Sequence, residues 1–176
     1  MRVLATEVRA EDFAPFGRVH AMAPAIQPED PAARLVVSAG DGWSDAYTAN
    51  PLISTNGSLG MTLGAGLPFA TSQMERHLAT EEALFTAGSA VVLAVAPPNE
   101  GRYPEAHAVR AFIIKPGTAV VLHQGTWHDA CHGLDGEAHY YWMATCGGDG
   151  GPTWTDVSGG PVHISVDASN TGAENG

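Results

Sequence analysis

The sequence predicts an all-β chain, an antiparallel β-barrel or jelly roll with a few short helices. Three observations predict it. Glycine (21) and proline (12) make up about a fifth of the 176 residues, so turns are frequent. Charged residues are 15% against 44% hydrophobic, a balance unlike the roughly 25% charge of ordinary domains and unlike a coiled coil or a disordered chain. About ten short apolar runs follow one another at close spacing, the pattern of an antiparallel sandwich or small barrel.

The elements are expected in this order. Residues 2–8 (RVLATEV) read as a strand. Residues 10–14 read as one helical turn, stopped by Pro15 and Gly17. Prolines at 24, 28 and 31 mark a loop over 21–34, before a strand at 34–38. The stretch 40–72 is rich in Gly, Ser, Thr and Asn, with short strands near 52–55 and 59–63. Strands follow at 73–77, 83–86, 90–96 (the last six VVLAVA), 109–114, 119–123 and 138–145, separated by Gly88-Ser89, Pro97-Pro98-Asn99-Glu100-Gly101 and Lys115-Pro116-Gly117. One domain over 1–165 and a flexible tail over 166–176 complete the expectation.

The net charge is −11. Lys115 is the only lysine. An acidic chain is a poor partner for nucleic acid or an anionic membrane, although one local arginine can still dominate a small-molecule pocket. The N-terminus lacks the apolar core of a signal peptide and no apolar run reaches membrane-spanning length, so a soluble, cytoplasmic protein is expected. Pairing of Cys131 with Cys146 is left open by the sequence.

Eight histidines are present, and His123, His128, His132 and His139 crowd into seventeen residues. His123 ends a strand and precedes a glycine turn and Trp127-His128. Upstream, Glu75-Arg76-His77 precedes Glu81-Glu82. On a strand Glu75 and His77 share a face, and Arg76 points away. Imidazole and carboxylate suit a divalent transition metal; they equally suit metal-free acid/base chemistry. His77, Glu82, His123 and His128 are therefore the expected metal ligands if a metal is bound, with all four converging on one pocket. Arg76 and Arg110 are candidate clamps for a substrate carboxylate, and Trp127 is a candidate substrate contact or a core residue. His20, His107, His132, His139 and His163 read as structural, as does Cys131. No P-loop, dinucleotide-binding glycine motif, HExxH or CxxC is present.

Glu75-Arg76-His77, the run Val109-Arg110-Ala111-Phe112-Ile113 and the run Gly117-Thr118-Ala119-Val120-Val121-Leu122-His123-Gln124-Gly125-Thr126-Trp127-His128 resemble the landmarks of the ureidoglycolate lyase family. Phe13-Ala14-Pro15-Phe16-Gly17 is similar to that family's opening. The resemblance runs over roughly residues 3–145. It implies a cupin-like β-barrel, a homodimer, and cleavage of ureidoglycolate to urea and glyoxylate in the recovery of purine nitrogen, with a divalent metal in some members. It also implies roles: His123 or His128 as base, Glu82 or a water on a metal as the alternating acid, Arg76 or Arg110 on the carboxylate. Two departures stand out. Glu82 occupies a place where the family typically has Gln, and no arginine lies between Arg34 and Arg76, where the family tends to carry one over the stretch matching 53–58. Two other classes compete with the lyase: a metal-dependent cupin isomerase, epimerase or dioxygenase, favoured by Glu82, and a non-catalytic small-molecule-binding cupin.

Overall fold

The computed structural model describes residues 1–22, 34–146 and 154–167. Two five-stranded sheets face each other. The first has the spatial order Gly17–Ala21, Thr118–Leu122, Glu82–Phe85, Ala138–Ala144, Ser58–Gly64. The second runs Trp127–His128, Val91–Ala96, Arg110–Ile114, Thr6–Glu7, with His132–Gly133 also pairing to Val91–Ala96. From Glu82 onward the chain alternates between them: Glu82–Phe85 in the first, Val91–Ala96 and Arg110–Ile114 in the second, Thr118–Leu122 back in the first, Trp127–His128 in the second, Ala138–Ala144 in the first. Antiparallel strands crossing repeatedly between two facing sheets make a jelly roll, the cupin architecture. The two sheets face each other without closing into a barrel.

A third sheet, Arg2–Leu4, Val162–Ser165, Phe69–Thr71, covers the back of the second. Val91–Ala96 is consequently buried on both faces, which is why VVLAVA shows no alternation. Leu93, Val95, Phe112, Leu84, Val120 and Leu122 fill the space between the facing sheets. Val92, Ala94, Ala111, Ile113, Val162 and Ile164 fill the space behind.

Several sequence expectations are corrected. The strand expected over 2–8 breaks at Ala5, because Arg2–Leu4 pairs with Val162–Ser165 and Thr6–Glu7 pairs with Arg110–Ile114. Residues 52–55 form no strand; Ile53 is buried there, and the Ser54 N–H donates to the Glu81 carboxylate. The ladder expected over 73–77 ends at Met74 and continues only as a bridge at Glu75. Strands Gly17–Ala21, Trp43–Thr48, Phe69–Thr71 and Val162–Ser165 lie outside the expected set. The helix is as expected, Ala10–Phe13. Cys131 is buried, Cys146 is exposed, and both are free. Residues 23–33 of the expected loop, and the expected tail from 168 on, lie outside the described residues. Among the described residues, no helix is long and apolar enough to cross a membrane.

Candidate active site

The site begins with alternation. His128 and Arg110 both lie opposite Val95 in register, so both share the inward face of the second sheet with Val95. Trp127, one residue earlier, turns to the other face and enters the rear core. Glu75 bridges His128 through two backbone bonds, Glu75 N–H to His128 O and His128 N–H to Glu75 O, each 2.9 Å. Directly paired residues share a face, so Glu75 stands beside His128, and His77 follows two residues on. From the facing sheet Glu82 points inward with Leu84, opposite Leu122. Gly125, at φ +82°, closes the turn below and donates its N–H to His77 O at 2.7 Å.

Four side chains therefore meet. Glu82 Oε2 lies 2.9 Å from His128 Nε2 and 3.1 Å from His77 Nε2. Glu75 Oε1 lies 3.7 Å from His128 Nε2. The imidazole centroids of His77 and His128 are 5.2 Å apart. Ligand atoms of Glu75, His77 and His128 converge within 4.8 Å, the group among the described residues with the spacing of a metal site.

The electrostatics follow from burial and mutual charge. Burial alone would raise Glu82; the positive charge of His128 and the approach of both imidazoles overcome it and hold the carboxyl at about 2. Burial alone would lower His128; Glu82, then Glu75, push it up to about 8. For Glu75 burial wins over the imidazoles, and its carboxyl is raised. Despite the short approaches, Glu82 Oε2, His128 Nε2 and Glu75 Oε2 are buried without a hydrogen bond of proper angle. Buried polar atoms are rarely left so. Two imidazoles and one carboxylate with converging ligand atoms, and a second carboxylate, Glu82, against both rings, fit a divalent transition metal.

Of the residues singled out in the sequence, the structure brings together His77, Glu82 and His128. His123 is half-buried on the adjoining turn, its N–H bonded to Phe16 O and its carbonyl accepting from Thr126 N–H, and it is not in the converging group. Glu75 is there instead. Its sharing a face with His77 was the available signal. Arg76 and Trp127 lie on the reverse face, where the guanidinium stacks on the indole at 4.2 Å. Arg110 faces inward, but its Nη1 donates to the carbonyls of His107 and Val109. It lines a cleft of about 900 Å³ with Arg9, Asp12, Phe16, Pro97 and Phe112. His132 stacks on Phe69 at 3.6 Å behind the second sheet.

Comparison with known proteins bears on this arrangement. No curated protein matches the chain. The structure of RmlC from Streptococcus suis in complex with dTDP-D-xylose is similar at a TM-score of 0.37 and 10% identity, over 65% of this chain and 63% of that one. The chain thus spans less than two thirds of that protein's length, and the fold assignment rests on the strand order. The family model described as ureidoglycolate lyase matches residues 1–153, a span that holds Glu75, His77, Glu82 and His128 and both sheets that carry them. The chain belongs to the ureidoglycolate lyase family.

Proposed function

We propose that the chain is a carbon–nitrogen lyase that splits ureidoglycolate, or a closely related ureido hydroxy acid, into urea and glyoxylate in cytoplasmic purine-nitrogen recovery. The observation that carries this reading is the convergence of Glu75, His77, Glu82 and His128, joined to the family match. The substrate is a hemiaminal: one carbon bears a hydroxyl, a carboxylate and a urea nitrogen. Cleavage moves one proton from that hydroxyl to the departing nitrogen, as the C–N bond breaks and the C=O bond forms. No redox partner is needed.

Glu75, His77 and His128 would hold a divalent metal, which when bound supplies Lewis-acid polarisation of the substrate's oxygens. Glu82 approaches both imidazoles from the opposite sheet. It would take the hydroxyl proton and return it to the nitrogen, with His123 on the adjoining turn as the alternative carrier. Arg110 sits on the inward face, across one strand from His128, at about 10 Å by the spacing of paired strands. We assign it to the substrate carboxylate.

A second reading, acid/base catalysis without metal, is favoured by the opposed carboxyls: Glu82 held at about 2, Glu75 raised, and His128 at about 8. Environments that push neighbouring groups apart mark acid and base roles. His128 then protonates the nitrogen, and Glu75 takes the hydroxyl proton.

The test is urea and glyoxylate release by wild type and His128→Asn, with elemental analysis of protein purified without added metal. Loss of an acid/base partner lowers turnover by about 10²–10⁴-fold. In the first reading His128→Asn loses stoichiometric metal as well as turnover; in the second it loses turnover alone, from a metal-free wild type. A wild type that releases neither product, with or without divalent metal, removes the lyase and leaves a cupin enzyme of another class or a binding protein.

The same reading includes a homodimer. The edge strand Ser58–Gly64 presents Leu59, Met61 and Leu63 on its outer side, each more than half exposed.

A further inference from the structure

The two sequence landmarks of the site each contain a large residue that faces away from it: Arg76 between Glu75 and His77, and Trp127 before His128. The Glu75–His128 bridge makes Arg76 and Trp127 the next opposed pair in the antiparallel register. Because Glu75 and His128 exchange both backbone bonds, the Arg76–Trp127 pair is a non-hydrogen-bonded one, in which side chains stand closest. The guanidinium lies 4.2 Å from the indole centroid, within cation–π range. Its Nη1 donates to Asn99 O at 3.0 Å and its Nη2 to Gly101 O at 3.2 Å. The indole Nε1–H donates to Asn99 Oδ1 at 3.2 Å, and Asn99 Nδ2 donates to Tyr103 O at 3.1 Å. One latch thus binds the segment carrying Glu75 and His77, the strand carrying His128, and the loop that follows Val91–Ala96.

The segment needs such a latch. Its regular pairing is the two-residue ladder of Gln73–Met74 with Thr155–Asp156, followed by the single bridge at Glu75 and the Gly125–His77 bond. Two of the four converging side chains hang on it.

We propose that Arg76, stacked on Trp127 and tied to the loop at Asn99 and Gly101, is a positioning residue that holds Glu75 and His77 against His128, and not a substrate contact. This rests on reading the Glu75–His77–Glu82–His128 cluster as the active centre. Lysine cannot replace the planar fork that stacks and donates twice. Partners behind a site's own residues typically matter by 10–100-fold in activity or metal affinity.

The primary test uses metal-free, substrate-free protein, so it does not depend on the lyase activity. Imidazole protons of His77 and His128 in wild type are expected to show a nuclear Overhauser contact, since their centroids are 5.2 Å apart. That contact is expected to disappear in Arg76→Ala and weaken in Arg76→Lys, and to persist in Arg110→Ala. Asn99→Ala, which leaves both strands' own residues intact, should weaken it too if Arg76→Ala fails to fold. A contact unchanged in Arg76→Lys and Asn99→Ala overturns the proposal. Where wild type releases urea and glyoxylate, Arg76→Lys is expected to lower kcat by about 10–100-fold at unchanged KM. A raised KM at unchanged kcat would make Arg76 a substrate clamp and overturn it equally.

Discussion

Glu82 shows how much one residue decides. Where the family typically has an amide, this chain places a buried carboxylate against two imidazoles. His128, ordinarily 6.5, stands at about 8, which is about 2 kcal/mol at 1.4 kcal/mol per pH unit. The displacement of Glu82 from 4.5 to about 2 gives about 3 kcal/mol on the same scale. Each figure is a net of burial and more than one partner, since His77 also acts on Glu82 and Glu75 also raises His128, so the smaller, about 2 kcal/mol, is kept as the order of magnitude for losing the Glu82 charge. The pH dependence has two limits. His128 contributes fully below 6.5 and loses its contribution as pH rises through about 8. Glu82 contributes fully above 4.5 and loses its contribution as pH falls through about 2. In metal-free protein Glu82→Gln is therefore expected to cost roughly 2 kcal/mol across pH 4.5–6.5, with a gap that narrows toward pH 9. Urea unfolding of both proteins at several pH values measures it. A gap that widens above pH 8 contradicts the pairing.

At the scale of elements, the opening motif Phe13-Ala14-Pro15-Phe16-Gly17 anchors the site from a distance. Phe13, Phe16 and Phe112 pack edge to face or tilted, with centroids 5.1–5.8 Å apart. Phe16 O accepts both the His123 N–H and the Thr126 hydroxyl at 2.9 Å, so this segment fixes the turn between His123 and His128. Gly17 then pairs with Leu122 so closely that a Cβ would stand 1.9 Å from Val121 O. A backbone oxygen cannot swing aside as a side chain can. Gly17→Ala should therefore cost about 1–3 kcal/mol and lower product release, read by thermal unfolding and by the urea assay; an unchanged melting temperature would show that the strands separate freely. This motif was legible in the sequence, as were the apolar runs of Val91–Ala96, Arg110–Ile114 and Thr118–Leu122. Gly17–Ala21 was not, because GRVHA has little strand propensity and owes its state to Thr118–Leu122 beside it. The Leu35–Gly40 and Trp43–Thr48 hairpin was half seen, although Asp41-Gly42, with Gly42 at φ +79°, is a hairpin turn signal. At the site, the convergence of His77, Glu82 and His128 was legible from residue type. The exchange of His123 for Glu75, and the turn of Trp127 into the rear core, depend on which face of a short strand each residue takes, whereas the outward turn of Arg76 follows from the alternation itself. A one-residue difference in where the ladder runs decides that.

For the whole molecule, the proposed homodimer falls on the outer side of the first sheet. Its edge strand Ser58–Gly64 (SLGMTLG) has no charge and no proline, the devices that usually protect a free edge. Leu59, Met61 and Leu63 are 64%, 57% and 53% exposed. Next to them, on the same face, Tyr141 lies opposite Met61 and Phe85, and Phe85 and Tyr141 stack at 5.6 Å. An apolar cavity of about 330 Å³ between Phe85, Ala119, Leu52 and Tyr47 extends the surface. At a net charge of −11, two copies repel wherever their acids face each other, so the uncharged edge strand is the place on which they can meet. A strand whose leucines flank a central methionine can also pair with its own copy about a twofold axis, Leu59 of one opposite Leu63 of the other, as a closed dimer requires. Light scattering behind gel filtration is expected to give twice the mass of one chain for wild type. Met61→Glu places a like charge beside its own copy at the axis and is expected to give the single-chain mass with the strand order intact. A wild type of single-chain mass at every concentration, or a Met61→Glu variant still dimeric, would move the interface elsewhere or remove it.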